Sequence, residues 1–177
     1  MELVLPSVEF KDSFIEAVKE FHADPDDSHR NQWYRKLAVS ELESDFESFV
    51  EEERSHSRGE NLPEGYVPYS TFWMVDNAEF IGQTNIRHRL NDQLERIGGH
   101  LGYDVRPSKR RRGYGKKILE LALAKATELG IQHVLITCDA GNEPSQKIIE
   151  RSGGVLENQV PNAETGIDKR RYWVDIK

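Results

Sequence analysis

Between Ile97 and Leu129 the chain passes from a strand-like segment, through a loop carrying Lys109, Arg110, Arg111, Arg112, Gly113 and Gly115, straight into its best helix. That helix, Gly113 to Leu129, gathers Ile118, Leu119, Ala122, Leu123, Ala126 and Leu129 into one apolar stripe and stops at Gly130. Such a stripe needs an apolar surface to cover. His133 to Cys138 (HVLITC), the buried-type strand that follows, points to a sheet as that surface. The segment therefore predicts a mixed α/β fold.

The flanking sequence fits the same class. Leu3 to Leu5 is a short strand stopped by Pro6, and Ser7 caps a helix with Phe10, Phe14, Val18 and Phe21 at helical spacing. Asp24 to Ser28 reads as a turn or break. A second helix begins after Ser40, with Leu42, Phe46, Phe49 and Val50 on one face and acidic residues from Glu41 to Glu53 on the other, a solvated face. Gly59 to Tyr69 reads as a loop. Ser70 to Val75, a turn at Asp76-Asn77-Ala78, and Glu79 to Arg89 form a hairpin. Ile97 to Val105 is the third strand there, and the pair Gly98-Gly99 inside it implies a bulge or a close backbone approach. A short helix from Glu143 to Ser152 and strands at Val155 to Val160 and Arg170 to Ile176 complete the order β-α-α-β-β-β-α-β-α-β-β. No second-domain boundary interrupts residues 1–177, which are expected to form a single domain.

Composition narrows the function. The 177 residues carry a formal net charge of −7, against the basic excess usual in nucleic-acid-binding domains. No apolar run approaches the ~20 residues of a membrane span, and no secretory signal opens the chain, so a cytoplasmic location is the default expectation. The single cysteine, Cys138, excludes an internal disulfide and a multi-thiolate zinc site, and the six histidines lack ligand spacing, so no metal is expected. Against the acidic total, six of the 24 Lys and Arg residues, Lys109, Arg110, Arg111, Arg112, Lys116 and Lys117, fall within nine positions.

Those cations sit where a helix begins. Free N–H groups and the helix dipole make an anion site there, glycines let the backbone wrap the anion, and the cations add charge-assisted hydrogen bonds. The expected ligand is a diphosphate. The stretch matches neither a P-loop nor a full G-x-G-x-x-G fingerprint; what it does contain is R-x-x-G-x-G, Arg110 to Gly115.

With that motif, the element order, and the stretches IRHRLN, IGGHLGYDVRP, VLITCDAGN and SQKIIERSGG, the chain resembles the GNAT superfamily of acetyl-CoA-dependent N-acetyltransferases. The resemblance implies that the loop binds the coenzyme A pyrophosphate through Arg110, Arg111, Arg112, Gly113, Tyr114, Gly115 and Lys116. It also implies that the strands Ile97 to Val105 and His133 to Cys138 part to admit pantetheine, with Tyr103, Asp104 and Val105 offering backbone groups. Asn142 and Ser145 match a second family signature. Ile149 stands where many members carry a tyrosine acid, so another group or solvent protonates the thiolate.

A substrate ammonium must lose a proton before it attacks. His100 is the candidate base, with Asp104 and Glu95 as alternatives and His88 as a further residue able to face the cleft. Cys138 reads as a small buried hydrophobe rather than a covalent nucleophile. The implied activity is direct acetyl transfer to a primary amine, on a small molecule or a lysine, in a ternary complex. The acidic second helix leans toward a cationic acceptor. The alternative is a non-catalytic acyl-CoA-binding sensor or partner subunit. No nucleic acid or membrane partner is expected, and the oligomeric state is open, a homodimer included.

Overall fold

A computed structural model describes residues 1–25 and 32–176. Seven strands form one sheet: β1 (Glu2–Val4), β2 (Tyr69–Asp76), β3 (Glu79–Arg87), β4 (Leu101–Val105), β5 (His133–Asp139), β6 (Val155–Val160) and β7 (Lys169–Asp175). Their spatial order is β1-β2-β3-β4-β5-β7-β6, and β4–β5 is the single parallel pair in it. The helices are α1 (Lys11–Ala23), α2 (Gln32–Lys36), α3 (Val39–Ser44), α4 (Phe46–Ser55), α5 (Tyr114–Glu128) and α6 (Glu143–Arg151).

The helices cover opposite faces of the sheet. Phe14, Phe21, Tyr34, Phe46 and Val50 from the N-terminal helices bury Trp73, Val75 and Phe80 on one face. Leu119, Ala122 and Ala126 of α5 and Ile149 of α6 bury Ile86, Leu101, Val134, Ile136, Tyr172 and Val174 on the other. The predicted stripe of α5 is thus the sheet-facing side of the helix, except for Leu129, which lies past the helix end and is exposed. Alternation along the strands then fixes every face: Thr71, Trp73, Gln83, Asn85, Gly102 and Asp104 look toward α1–α4, whereas Leu101, Tyr103, Ile136 and Cys138 look toward α5 and α6.

Several expectations shift. The single helix after Ser40 is two, because Asp45 leaves helical geometry and its side chain accepts the Ser48 N–H, capping α4. Helix α2 lies in a stretch assigned no element. The predicted turn at Asp24 to Ser28 lies outside the described residues beyond Pro25. The hairpin turn is confirmed, with Asn77 and Ala78 both at positive φ between the paired Asp76 and Glu79.

The third strand is shorter than Ile97 to Val105. Leu94–Gly98 winds into one wide helical turn, and β4 starts at Leu101. Gly99 makes the transition with φ 69° and ψ 178°, a conformation reserved for glycine, and a Cβ on it would lie 2.6 Å from the Leu135 carbonyl oxygen. The close backbone approach expected at the glycine pair is therefore real, and it pins the entrance of β4 to β5. Gly99→Ala is expected to cost about 3 kcal/mol of folding stability, read from urea unfolding. A loss within experimental error of zero would mean that this contact is not tight.

Candidate active site

Strands β4 and β5 are joined by one rung, Leu101↔Ile136, and diverge beyond it. On their outer sides each is firmly held, β4 by β3 from Ile86↔Leu101 to Gly82↔Val105 and β5 by β7 from His133↔Asp175 to Asp139↔Lys169. Arg87 donates its N–H to the His100 carbonyl, and Arg106 donates its own to that of Ile81. The even-numbered residues of β4 therefore bond to β3, and the backbone groups of Tyr103 and Val105 turn toward the gap. Arg110 Nε takes the Val105 carbonyl at 3.2 Å. The gap is a cleft of about 120 Å³ lined by Gly102, Tyr103, Thr137, Cys138, Asn142 and Ser145 among others.

The basic loop closes one end of this cleft. Its start is clamped: Glu20 of α1 binds the Arg106 guanidinium at 2.7 Å and the Ser108 N–H and hydroxyl at 3.0 Å, while Lys109 reaches Glu79 at 2.6 Å. Arg110 pairs with Asp24 at 2.6 Å. Past that point the loop is open. Arg111 and Gly113 both have positive φ, and Arg111, Arg112 and Lys116 are exposed with no ion pair among the described residues. The N–H groups of Arg111, Arg112, Gly113, Tyr114 and Gly115 find no acceptor among those residues either, and no side chain caps α5. A Cβ on Gly115 would meet Ile148 at 3.0 Å, so this glycine serves the packing of α5 on α6. Gly113 is needed for its φ of 86°. The Tyr114 hydroxyl turns away to Asp76 at 3.3 Å.

At the C-terminal end of β5, Asn142 caps α6 through Oδ1 and the Ser145 N–H. The Ser145 hydroxyl lies 3.1 Å from the Tyr103 hydroxyl, and both face the cleft. Burial pushes the Cys138 thiol up to about 11, which keeps it protonated. Ile149 is fully buried beneath Gly154.

Each proposed base has a definite setting. His100 stands just ahead of β4, not within it, at the closed end of the gap. Its Nδ1 accepts the Leu135 N–H at 3.0 Å, which puts the ring proton of the neutral form on Nε2 and leaves no free lone pair. Burial, Arg87 and His133 further disfavour its charged form. His88 contacts Ser70 at 2.8 Å on the face toward α5, and Glu95 is exposed in the wide turn. Asp104 faces α1–α4, accepts the Tyr34 hydroxyl at 2.6 Å, and has its carboxyl raised to about 7 by burial, against the pull of Tyr34, the Gln83 N–H and Arg110.

Residues not singled out from the sequence surround Asp104. Glu53 is the one buried member of the acidic run in α4 and accepts the Thr71 hydroxyl at 3.0 Å, with its carboxyl raised to about 7 by burial. The other acids of α4, Glu47, Glu51 and Glu52, are exposed as a solvated face should be. Gln83 and Asn85 carry buried amide oxygens with no partner among the described residues. Their sequence signal was polarity at alternate positions of an otherwise apolar strand.

A family model described as Acetyltransferase (GNAT) domain matches residues 3–155, and the chain belongs to this family. It is an acetyl-CoA-dependent acyltransferase. A search of curated proteins finds no match. Among solved structures, RimL, a ribosomal L7/L12 alpha-N-protein acetyltransferase with coenzyme A disulfide-linked to a cysteine, shares 18% identity over 98% of this chain and 93% of its own, at a TM-score of 0.69. The Salmonella typhimurium acetyltransferase that modifies the N-terminal serine of L7/L12 has 17% identity, 99% and 94% coverage and a TM-score of 0.68. The microcin C7 self-immunity acetyltransferase MccE, bound to acetyl-CoA and AMP, has 15% identity, 98% and 91% coverage and a TM-score of 0.64. These likenesses show the fold. No described helix is long and apolar enough to cross a membrane, and no metal-ligating cluster occurs among the described residues.

The raised Glu53 carboxyl has a thermodynamic consequence. Its value moves from 4.5 to about 7, so between those pH values the native state holds a proton that the unfolded chain has released, and stability falls as pH rises. The loss is about 3 kcal/mol, complete above pH ~7. Glu53→Gln keeps the oxygen that Thr71 needs and removes this slope. Urea unfolding of both proteins at pH 5 and pH 8 is expected to show a smaller decline in the variant, and equal declines would contradict the assignment.

Proposed function

We propose that the protein transfers the acetyl group of acetyl-CoA directly to a primary amine, with both substrates bound together. The observation that carries this reading is the gap beyond Leu101↔Ile136, which has a helix end with N–H groups free among the described residues at one side and, on the opposite face of β4, the half-buried Asp104 carboxyl. The N–H groups of Arg111 through Gly115 receive the diphosphate, and Arg111, Arg112 and Lys116 neutralise it. Tyr103 and Val105 offer backbone groups to pantetheine, and an N–H of this strand polarises the thioester and holds the oxyanion. Asn142 and Ser145 border the pantetheine sulfur from α6.

Proton traffic follows from the two faces. Asp104, raised toward neutrality, takes the proton of the ammonium from the α1–α4 face, a role His100 cannot fill with Nδ1 occupied. As the tetrahedral intermediate collapses, the nitrogen loses its second proton. On the opposite face the Ser145 and Tyr103 hydroxyls, in mutual contact, give a proton to the leaving thiolate, in place of the absent tyrosine at Ile149, and recover one from solvent. Cys138 lies beside that position as a neutral thiol, and Cys138→Ser is expected to retain transfer.

The decisive experiment is thiol release from acetyl-CoA across a panel of primary amines, followed by the pH profile of kcat/KM for the best acceptor. Wild type is expected to lose activity as pH falls through about 7, as Asp104 protonates. Asp104→Asn is expected to lower kcat by ~10²–10⁴ and to abolish that limb, with coenzyme A affinity unchanged. A profile that keeps its limb in the variant excludes Asp104 as the base. If wild type binds acetyl-CoA and acetylates no amine, the transfer reading itself fails.

A further inference from the structure

Two amide oxygens on the sheet face beneath α1–α4 have no hydrogen-bond partner among the described residues. Gln83 is 3% exposed, and its Oε1 has no hydrogen-bond partner among the described residues; nor has the buried Oδ1 of Asn85, two residues along β3. Buried polar atoms are almost always paired, because an orphaned one costs ~1–3 kcal/mol. These two atoms lie on one face of one strand, and the cross-strand partner of Asn85, Gly102, lines the cleft.

Their neighbours form two rows across the sheet. Trp73, Gln83 and Asp104 are cross-strand partners, and so are Thr71, Asn85 and Gly102. Glu53 closes the second row by accepting the Thr71 hydroxyl. Gly102 opens it: a side chain there would meet no atom within 4 Å, and the residue lines the cleft. A group crossing over Gly102 from the cleft therefore meets the Asn85 amide beside it, with Gln83 and Asp104 one row along toward the basic loop.

Gln83 Oε1, Asn85 Oδ1 and the Asp104 carboxylate are all acceptors of hydrogen bonds. A primary ammonium is the smallest common group with three N–H donors. We infer that Asn85 and Gln83 form the subsite for the attacking nitrogen of the acceptor and select a primary amine over its N-methylated counterpart. The inference rests on the transfer reading above and adds the specificity of the same site. The two amides are neutral, so they continue to accept N–H bonds after Asp104 has taken the proton, and the amine keeps its place as it becomes nucleophilic. An N-methyl group removes one donor and brings carbon against a buried oxygen.

The test uses the full chain, saturating acetyl-CoA, and cadaverine, an N-terminal serine peptide and N-acetyl-lysine amide as probes, each with its mono-N-methylated form. Wild type is expected to favour the primary form of its best probe by a hundredfold or more in kcat/KM. Asn85→Leu and Gln83→Leu are each expected to raise KM for the primary amine at least tenfold and to reduce the preference below tenfold, with acetyl-CoA affinity within twofold of wild type. Asn85→Asp retains the accepting oxygen and is expected to keep the preference. A preference unchanged in both leucine variants overturns the inference and leaves acetyl transfer standing, the two amides then holding only structural water. Failure of wild type on every probe, with acetyl-CoA bound, instead removes the transfer reading and this inference with it.

Discussion

The proposed site depends on a parallel strand pair that makes one rung of ladder and then stops. The cost of leaving strand backbone unpaired is substantial, since each buried N–H or C=O without a partner forfeits a hydrogen bond. The fold sustains it by anchoring each strand on its other side, β4 to β3 and β5 to β7, and by pinning the closed end with Gly99 against Leu135 and His100 against the Leu135 N–H. The backbone groups of Tyr103 and the N–H of Val105 thereby face a gap, while the Val105 carbonyl accepts from Arg110 Nε; in the proposed reading an extended ligand replaces the missing strand contacts.

The same divergence separates two chemical environments. Toward α5 and α6 the cleft presents hydroxyls and a neutral thiol, from Tyr103, Ser145 and Cys138. On the sheet face toward α1–α4, behind the cleft wall, lie carboxyls raised by burial, from Asp104 and Glu53, and the amide oxygens of Gln83 and Asn85, which have no partner among the described residues. A proton acceptor on one side and proton donors on the other suit a reaction in which one nitrogen loses a proton and one sulfur gains it. The clamp from Glu20 to Arg106 and Ser108 ties α1 to the loop, so the helices that cover the Asp104 face also fix the start of the basic loop.

The order of the strands, most of the sheet-facing stripe of α5, the glycine pair and the open glycine loop ahead of α5 were legible in the sequence, because each is written in local spacing or in residues with one backbone use. What escaped has a common cause: it depends on partners far apart in the chain. His100 looked suited to act as a base by intrinsic pKa, yet its Nδ1 is committed to an N–H 35 residues away. Asp104 drew little weight until Tyr34, 70 residues away, appeared on its carboxyl. Glu53 was hidden in a run of acids whose other members in α4 are exposed. Lys109 and Arg110 counted with the anion cluster, whereas they tie the loop to Glu79 and Asp24.

The central claim is that coenzyme A replaces the missing rungs of the β4–β5 ladder with its diphosphate on the N-terminus of α5. Amide-resolved NMR of the full chain titrated with coenzyme A tests it most directly. The account predicts that the N–H signals of Arg111 through Gly115 and of Tyr103 and Val105 move together with one affinity, and that those of Tyr103 and Val105 gain protection from hydrogen exchange. Shifts confined elsewhere, for example to the surface groove on α1 lined by Lys11, Glu16, Lys19 and Glu43, would contradict it.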